Sequence, residues 1–138
     1  MKFMMIVKAT EQSEAGVMPG EELFLEMNRY NEQLQEAGIL RDLIGLHPTS
    51  NGARVVFTGN ERKLIDGPFA EAKELIAGYW VIEVGSKQEA LDWAMKVPHP
   101  SPGVDTNVEI RQIFGLEDFP NLPDEVYELE SKIQAGRS

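Results

Sequence analysis

The chain has 138 residues, enough for one domain that buries roughly two thirds of its unfolded surface in a single core. Its 42% hydrophobic and 26% charged residues are the balance of a folded globular chain, and 13 basic against 23 acidic residues give a formal net charge of −10. That charge argues against nucleic acid and anionic membranes as main partners, since Lys and Arg bind both, and the absence of cysteine excludes disulfides, thiolate nucleophiles, zinc ribbons and iron–sulfur clusters.

No apolar run approaches the ~20 residues that cross a bilayer, and the N-terminal stretch Met1 to Lys8 is too short for a signal peptide, so a cytoplasmic protein is expected. The run Phe3-Met4-Met5-Ile6-Val7 reads as a strand covered on both faces. Pro19 opens a helix with Glu21 and Glu22 at its positive end; Leu23, Met27, Tyr30, Leu34 and Ala37 form its buried stripe, and Gly38 stops it. Ile39 to His47 is extended. Asn51-Gly52 then turns the chain into Ala53 to Thr58, and Gly59-Asn60 turns it back through Lys63-Leu64-Ile65, a hairpin arm.

Asp66-Gly67-Pro68-Phe69 follows as a loop, with a helical turn around Glu71 to Leu75. Gly78 to Val84 is aromatic and β-branched, hence a strand. Ser86 caps a second helix with Glu89 as its capping-box partner and Ala90, Leu91, Ala94 and Met95 as its buried stripe. The proline-rich stretch Pro98 to Gly103 is loop, Thr106 to Phe114 is the last strand, and Pro123 opens a terminal helix. With the hairpin arm set aside the order is βαββαβ, a ferredoxin-like α+β domain over residues 1–117 with a C-terminal helical extension over 118–138.

Two helices cover only one face of such a sheet. A strand period of two puts Tyr79, Val81 and Glu83 on the other face, with Arg54, Val56, Arg111, Ile113, Arg41, Leu43 and His47. A face that mixes apolar side chains with sparse charges reads as a sheltered cavity or an interface. A second copy closing over it is the reading adopted, against a monomer with a solvated sheet.

The stretch Asp66-Gly67-Pro68-Phe69-Ala70-Glu71-Ala72-Lys73-Glu74-Leu75-Ile76-Ala77-Gly78-Tyr79-Trp80 resembles the DGPF motif of the YCII-related (YciI-like) proteins. Met1-Lys2-Phe3-Met4, Gly45-Leu46-His47-Pro48, Ala90-Leu91-Asp92-Trp93 and Val108-Glu109-Ile110-Arg111 are similar to that family as well, so the resemblance spans roughly residues 1–115. It departs at Ala72, where relatives carry Thr. The resemblance implies a ferredoxin-like fold assembled as a dimeric α/β barrel. It also implies one of two roles. One is catalysis, for which a His–Asp pair is proposed in some members, while a distant relative resembles a lyase that removes chloride from a ring-derived metabolite. The other is accessory, beside an extracytoplasmic-type sigma factor.

Among the residues themselves, His47 is either a proton carrier or ligand contact, or a strand-end histidine bonded to a loop carbonyl. Asp66 either orients His47 or makes its own turn. Phe69 is a core or pocket wall, and Glu71 a helix-start carboxylate or a second acid. Tyr79 and Glu83 face the cavity. Arg54 and Arg111 either bind a small carboxylate through a guanidinium fork or form a salt-bridge network with Glu83 and Glu109. His99, in the proline loop, reads as solvent-exposed.

No zinc-ligand spacing, phosphate loop or Gly-x-Ser-x-Gly elbow occurs. The expectation is therefore a homodimer with a small-molecule pocket. Its chemistry would be that of a cofactor-free lyase or isomerase, with no metal and no cofactor; a binding or accessory module is the alternative.

Overall fold

A computed structural model of the protein describes residues 1–137. The strands are β1 (Lys2–Lys8), β2 (Leu40–Gly45), β3 (Ala53–Thr58), β4 (Glu61–Asp66), β5 (Ile76–Glu83) and β6 (Val108–Gln112). The helices are α1 (Glu11–Glu14), α2 (Glu21–Glu36), α3 (Lys87–Ala94) and α4 (Asp124–Gly136). The main sheet has the order β2-β5-β1-β6 with every neighbour antiparallel, and β3 and β4 form a separate two-stranded ribbon. The architecture is α+β.

The core lies between one face of the sheet and helices α2 and α3. Phe3 and Met5 of β1, Trp80 and Ile82 of β5 and Val84 just beyond it meet Tyr30 and Leu34 of α2 and Ala90 of α3. Alternation along each strand places these side chains together, and the stripe at four- and three-residue spacing on α2 answers them. Two polar atoms are carried into this layer with their partners. The Tyr30 hydroxyl donates to the Trp93 carbonyl at 2.8 Å, and Trp80 Nε1 donates to Asn31 Oδ1 at 2.8 Å. Burial pushes the Tyr30 phenol well above its ordinary range, so it stays a donor. Its ring meets Trp80 and Trp93 edge-on at 5.4 and 6.4 Å.

Several expectations change. The single turn α1, capped by Thr10 through Ser13, has no counterpart in the periodicity reading. The Ser86 hydroxyl does accept from the Glu89 amide, but the Glu89 carboxylate accepts from Gly85 rather than from Ser86, so the reciprocal box is displaced by one residue. Met95 is 87% exposed instead of buried, because α3 ends at Ala94 and Trp93 turns into the core in its place. β6 stops at Gln112, two residues short of Phe114, whose ring leaves the sheet to stack on Phe119 at 4.9 Å.

The largest consequence comes from a register slip in β2 between Leu40 and Asp42. Leu40 lies opposite Ile82, but Leu43 lies opposite Trp80 and Ile44 opposite Tyr79. A bulge of this kind reverses the alternation beyond it. Ile44 and Leu46, rather than Leu43 and His47, therefore share the parity of Tyr79, and the alternation that set His47 beside Arg41 does not hold.

Leu34 has none of its surface exposed. Leu34→Ala is expected to cost about 2–5 kcal/mol in urea unfolding, whereas Met95→Ala stays within about 0.5 kcal/mol; a comparable loss at Met95 would contradict the placement of α3.

Candidate functional site

The face of the sheet opposite α2 and α3 carries Met4 and Ile6 from β1, Tyr79, Val81 and Glu83 from β5, Glu109 and Arg111 from β6 and Ile44 from β2. Register sets their neighbours: Ile6 is opposite Tyr79 and Glu109, and Met4 is opposite Val81 and Arg111. The middle is thus an apolar floor carrying one phenol. Charge gathers at its two ends. At one, Arg41 Nε donates to Glu83 Oε1 at 3.0 Å; at the other, Lys8 Nζ lies 3.3 Å from Glu109 Oε1. The salt-bridge network among Arg54, Arg111, Glu83 and Glu109, one of the two alternatives read from the sequence, does not form; Glu83 and Glu109 take these other partners. Among the described residues Arg54 and Arg111 join no ion pair.

The Lys8 end is where the loops converge. β2 ends opposite Gly78, which lies opposite Val7, and β5 begins there after the Asp66–Phe69 turn. The Glu14 carboxylate accepts the Thr49 amide at 3.1 Å and also the Thr49 hydroxyl. Thr49 Oγ1 in turn accepts the Phe69 amide at 3.0 Å. A Cβ on Gly67 would stand 1.8 Å from the Thr49 carbonyl oxygen, so only glycine lets the two backbones approach this closely. The Gly67 amide donates to the Gly52 carbonyl at 3.0 Å, tying the foot of the ribbon to the same point. Arg54 completes the cluster, its guanidinium 3.8 Å from the centre of the Phe69 ring.

His47 and Asp66 flank this clasp, two residues before Thr49 and one before Gly67. Both are exposed, and no hydrogen bond joins them. Phe69 and Tyr79 are half-buried, Arg54 and Arg111 exposed, and His99 is exposed with Nδ1 accepting the Ser101 amide. Beside the clasp an open cavity of about 750 Å³ is lined by Lys8, Thr10, Glu71, Glu74, Asp105 and Thr106, among others; neither His47 nor Asp66 contributes to it.

Two carboxyls depart from their ordinary range. Glu74 is raised, first by a hydrogen bond shared with Glu71 and then by the Glu71 charge, against the weaker pull of Arg54 and Lys8. Glu83 is lowered, chiefly by the hydrogen bond from Arg41; partial desolvation opposes this, and the charges of Arg41, Lys2 and the N-terminus add to it.

A family model for the YCII-related domain matches residues 1–114, which is most of the chain and includes every residue of the clasp. The chain belongs to the YCII-related family. Over 82 residues, 59% of this chain, it is 33% identical to an uncharacterised protein of Rhizobium meliloti (strain 1021); the match spans 66% of that protein, just under two thirds of its length. No helix among the described residues of this YCII-related protein is long and apolar enough to cross a membrane.

Sequence reasoning missed Glu14, Thr49, Lys8 and Glu74 as parts of the site. Thr10-Glu11-Gln12-Ser13 is a readable capping signal for α1, but it does not say where Glu14 reaches. Thr49 carries no local signal, because its partners lie 35 residues upstream and 20 downstream.

Gly67→Ala is expected to cost about 1–3 kcal/mol in urea unfolding, since a methyl would displace the Thr49 carbonyl. Thr49→Val should speed hydrogen exchange at the Phe69 amide, and Thr49→Ser should restore its protection. For Glu83 the sign follows from its lowered folded value: its stabilisation is present above the ordinary glutamate range and is lost as pH falls through the folded value. Glu83→Gln should therefore lower the Tm at neutral pH, with the gap closing below about pH 4.

Proposed function

We propose that this protein is a cytoplasmic homodimer of ferredoxin-like units whose open sheet faces meet as a dimeric α/β barrel, enclosing a pocket for a small organic anion at the clasp end. The observation that carries this reading is the convergence of the Pro48–Asn51 turn and the DGPF turn on Thr49. It sets His47 and Asp66 on two backbones in van der Waals contact, at the end of an apolar floor holding Tyr79.

Among the described residues Arg54 and Arg111 join no ion pair, Arg54 acting on Glu74 only through its charge, and a guanidinium so placed is suited to bind a carboxylate from a ligand. Phe69 is the wall on which Arg54 lies. Glu83 remains with Arg41 at the far end and shapes the floor electrostatically. In this reading His47 carries a proton to or from the bound anion and Asp66 orients the imidazole once ligand draws the side chains together. Cofactor-free elimination or isomerisation is the chemistry such a pair performs.

The lack of a hydrogen bond between His47 and Asp66 favours a second reading, in which the same pocket binds a ligand without turning it over and the dimer serves as an accessory module, for instance to a sigma factor. Titration with small carboxylates and phenols, followed by NMR shifts at Tyr79, Phe69 and Arg54, tests the pocket. Binding should weaken at least about tenfold in Arg54→Ala, the loss of roughly 1.4 kcal/mol. His47→Asn should abolish any turnover and leave binding intact. Ligand shifts confined to other surfaces would remove the pocket proposal. Binding with no turnover by the unmodified protein would leave the second reading.

A further inference from the structure

Two apolar surfaces of this chain have no cover among its described residues. On the β3–β4 ribbon, register puts Val55 opposite Leu64 and Phe57 opposite Arg62, so these four share one face. Val55, Leu64 and Phe57 are 53%, 71% and 66% exposed, and Arg62 lies over the Phe57 ring at 4.8 Å. A two-stranded ribbon with an open apolar face is marginal in water unless something packs on it. The second surface is on α4. Leu129 and Ile133, four residues apart and hence on one side, are 53% and 55% exposed, and no described residue of the helix is buried. This helix begins ten residues after the YCII-related match ends.

We infer that α4 of one copy packs on the β3–β4 ribbon of a second copy, an interface that rests on the dimer proposed above and adds to it a contact outside the family domain. Length and charge fit. Six-residue strands and a thirteen-residue helix both span about 20 Å. Asp124, Glu125, Glu128 and Glu130 crowd the first turns of α4, while Arg62 supplies a cation on the apolar face of the ribbon and Asp66 an acid at its foot; Arg54 and Lys63 lie on the other face.

Topology sets the two surfaces far apart within one chain. The ribbon leaves the sheet from edge strand β2 at the end where Gly45 and Val7 both face Gly78. The chain toward α4 leaves from the opposite edge strand, β6, at the other end, where Gln112 faces Phe3. The two surfaces thus belong to diagonally opposite corners. The connection is also pinned, by the Gly115 amide on Asp118 and by the Tyr127 hydroxyl on the Phe119 carbonyl. A two-fold axis that exchanges the corners makes the missing contact twice.

The chain has no cysteine, so introduced thiols react without background. Leu64→Cys and Ile133→Cys are made separately in the full chain, one carrying an affinity tag, and oxidised alone and mixed. The mixture should give a disulfide-linked species at twice the 15.5 kDa chain mass that neither variant gives alone, and Leu129→Glu on the Ile133→Cys chain should abolish it. In the unmodified protein, amide exchange in the ribbon and around Leu129–Ile133 should slow together as concentration carries monomer to dimer. A dimer by light scattering with no mixed crosslink and no joint protection overturns this contact and leaves the sheet-to-sheet dimer standing. A crosslink formed within one monomeric chain that carries both Leu64→Cys and Ile133→Cys overturns it in favour of self-docking. A 15.5 kDa particle throughout the micromolar range removes both.

Discussion

The site depends on how closely the backbone at Gly67 lies against the Thr49 carbonyl. That approach, with the Glu14–Thr49–Phe69 hydrogen bonds, joins α1, the turn after β2 and the DGPF turn at a single point. The consequence is mechanical. The β3–β4 ribbon is not part of the main sheet, so its angle to the domain is set at its foot, where the Gly67 amide meets the Gly52 carbonyl and Arg54 lies on Phe69. The same point fixes where β5 enters the sheet, and with it the position of Tyr79 on the open face. A side chain at residue 67, or loss of the Thr49 hydroxyl, disturbs ribbon, turn and floor together rather than one contact.

Charge on the open face is arranged around that point. The acids nearest the floor are occupied, Glu83 by Arg41 and Glu109 by Lys8, while Glu71 and Glu74 share a hydrogen bond that holds Glu74 protonated to higher pH than an isolated glutamate. In a chain of net charge −10, Arg54 and Arg111 are among the cations that join no ion pair among the described residues. In the proposed reading an organic anion would set its charge against a guanidinium and its apolar body over side chains that water solvates poorly. The open cavity next to the clasp is lined instead by Lys8 and the Glu71–Glu74 pair, so the polar cavity and the apolar floor are distinct neighbours sharing Lys8 at their border.

Apolar surface is distributed unevenly between the two sides of the sheet. α2 and α3 bury one side of the sheet thoroughly, and α4 contributes nothing to that core. Ile44, Leu46, Val55, Phe57 and Leu64 remain open, a larger apolar area than isolated surface residues produce. α2 and α3 are taken up by the other side of the sheet, and no described residue of α4 is buried, so these side chains stay open within the described residues.

Local sequence determined most of the elements. Leu23, Met27, Tyr30 and Leu34 specify α2 by their spacing; Gly38, at φ +73°, ends it by adopting a conformation other residues resist; and the aromatic, β-branched run to Val84 specifies β5. The DGPF stretch identified the family, and the βαββαβ order with its extra hairpin anticipated the strands that form the sheet and the ribbon. Tertiary structure decided the rest. The bulge in β2 that turned Ile44 rather than Leu43 toward Tyr79 leaves no mark on composition, because it arises from fitting β2 to the pleat of β5. The pairing of Glu83 with Arg41 instead of Arg54 or Arg111, and the grip of Glu14 on Thr49, are likewise set by register and loop closure. Hydrophobic spacing encodes what one segment prefers by itself; which side chains meet across segments distant in sequence is set only when the backbones have packed.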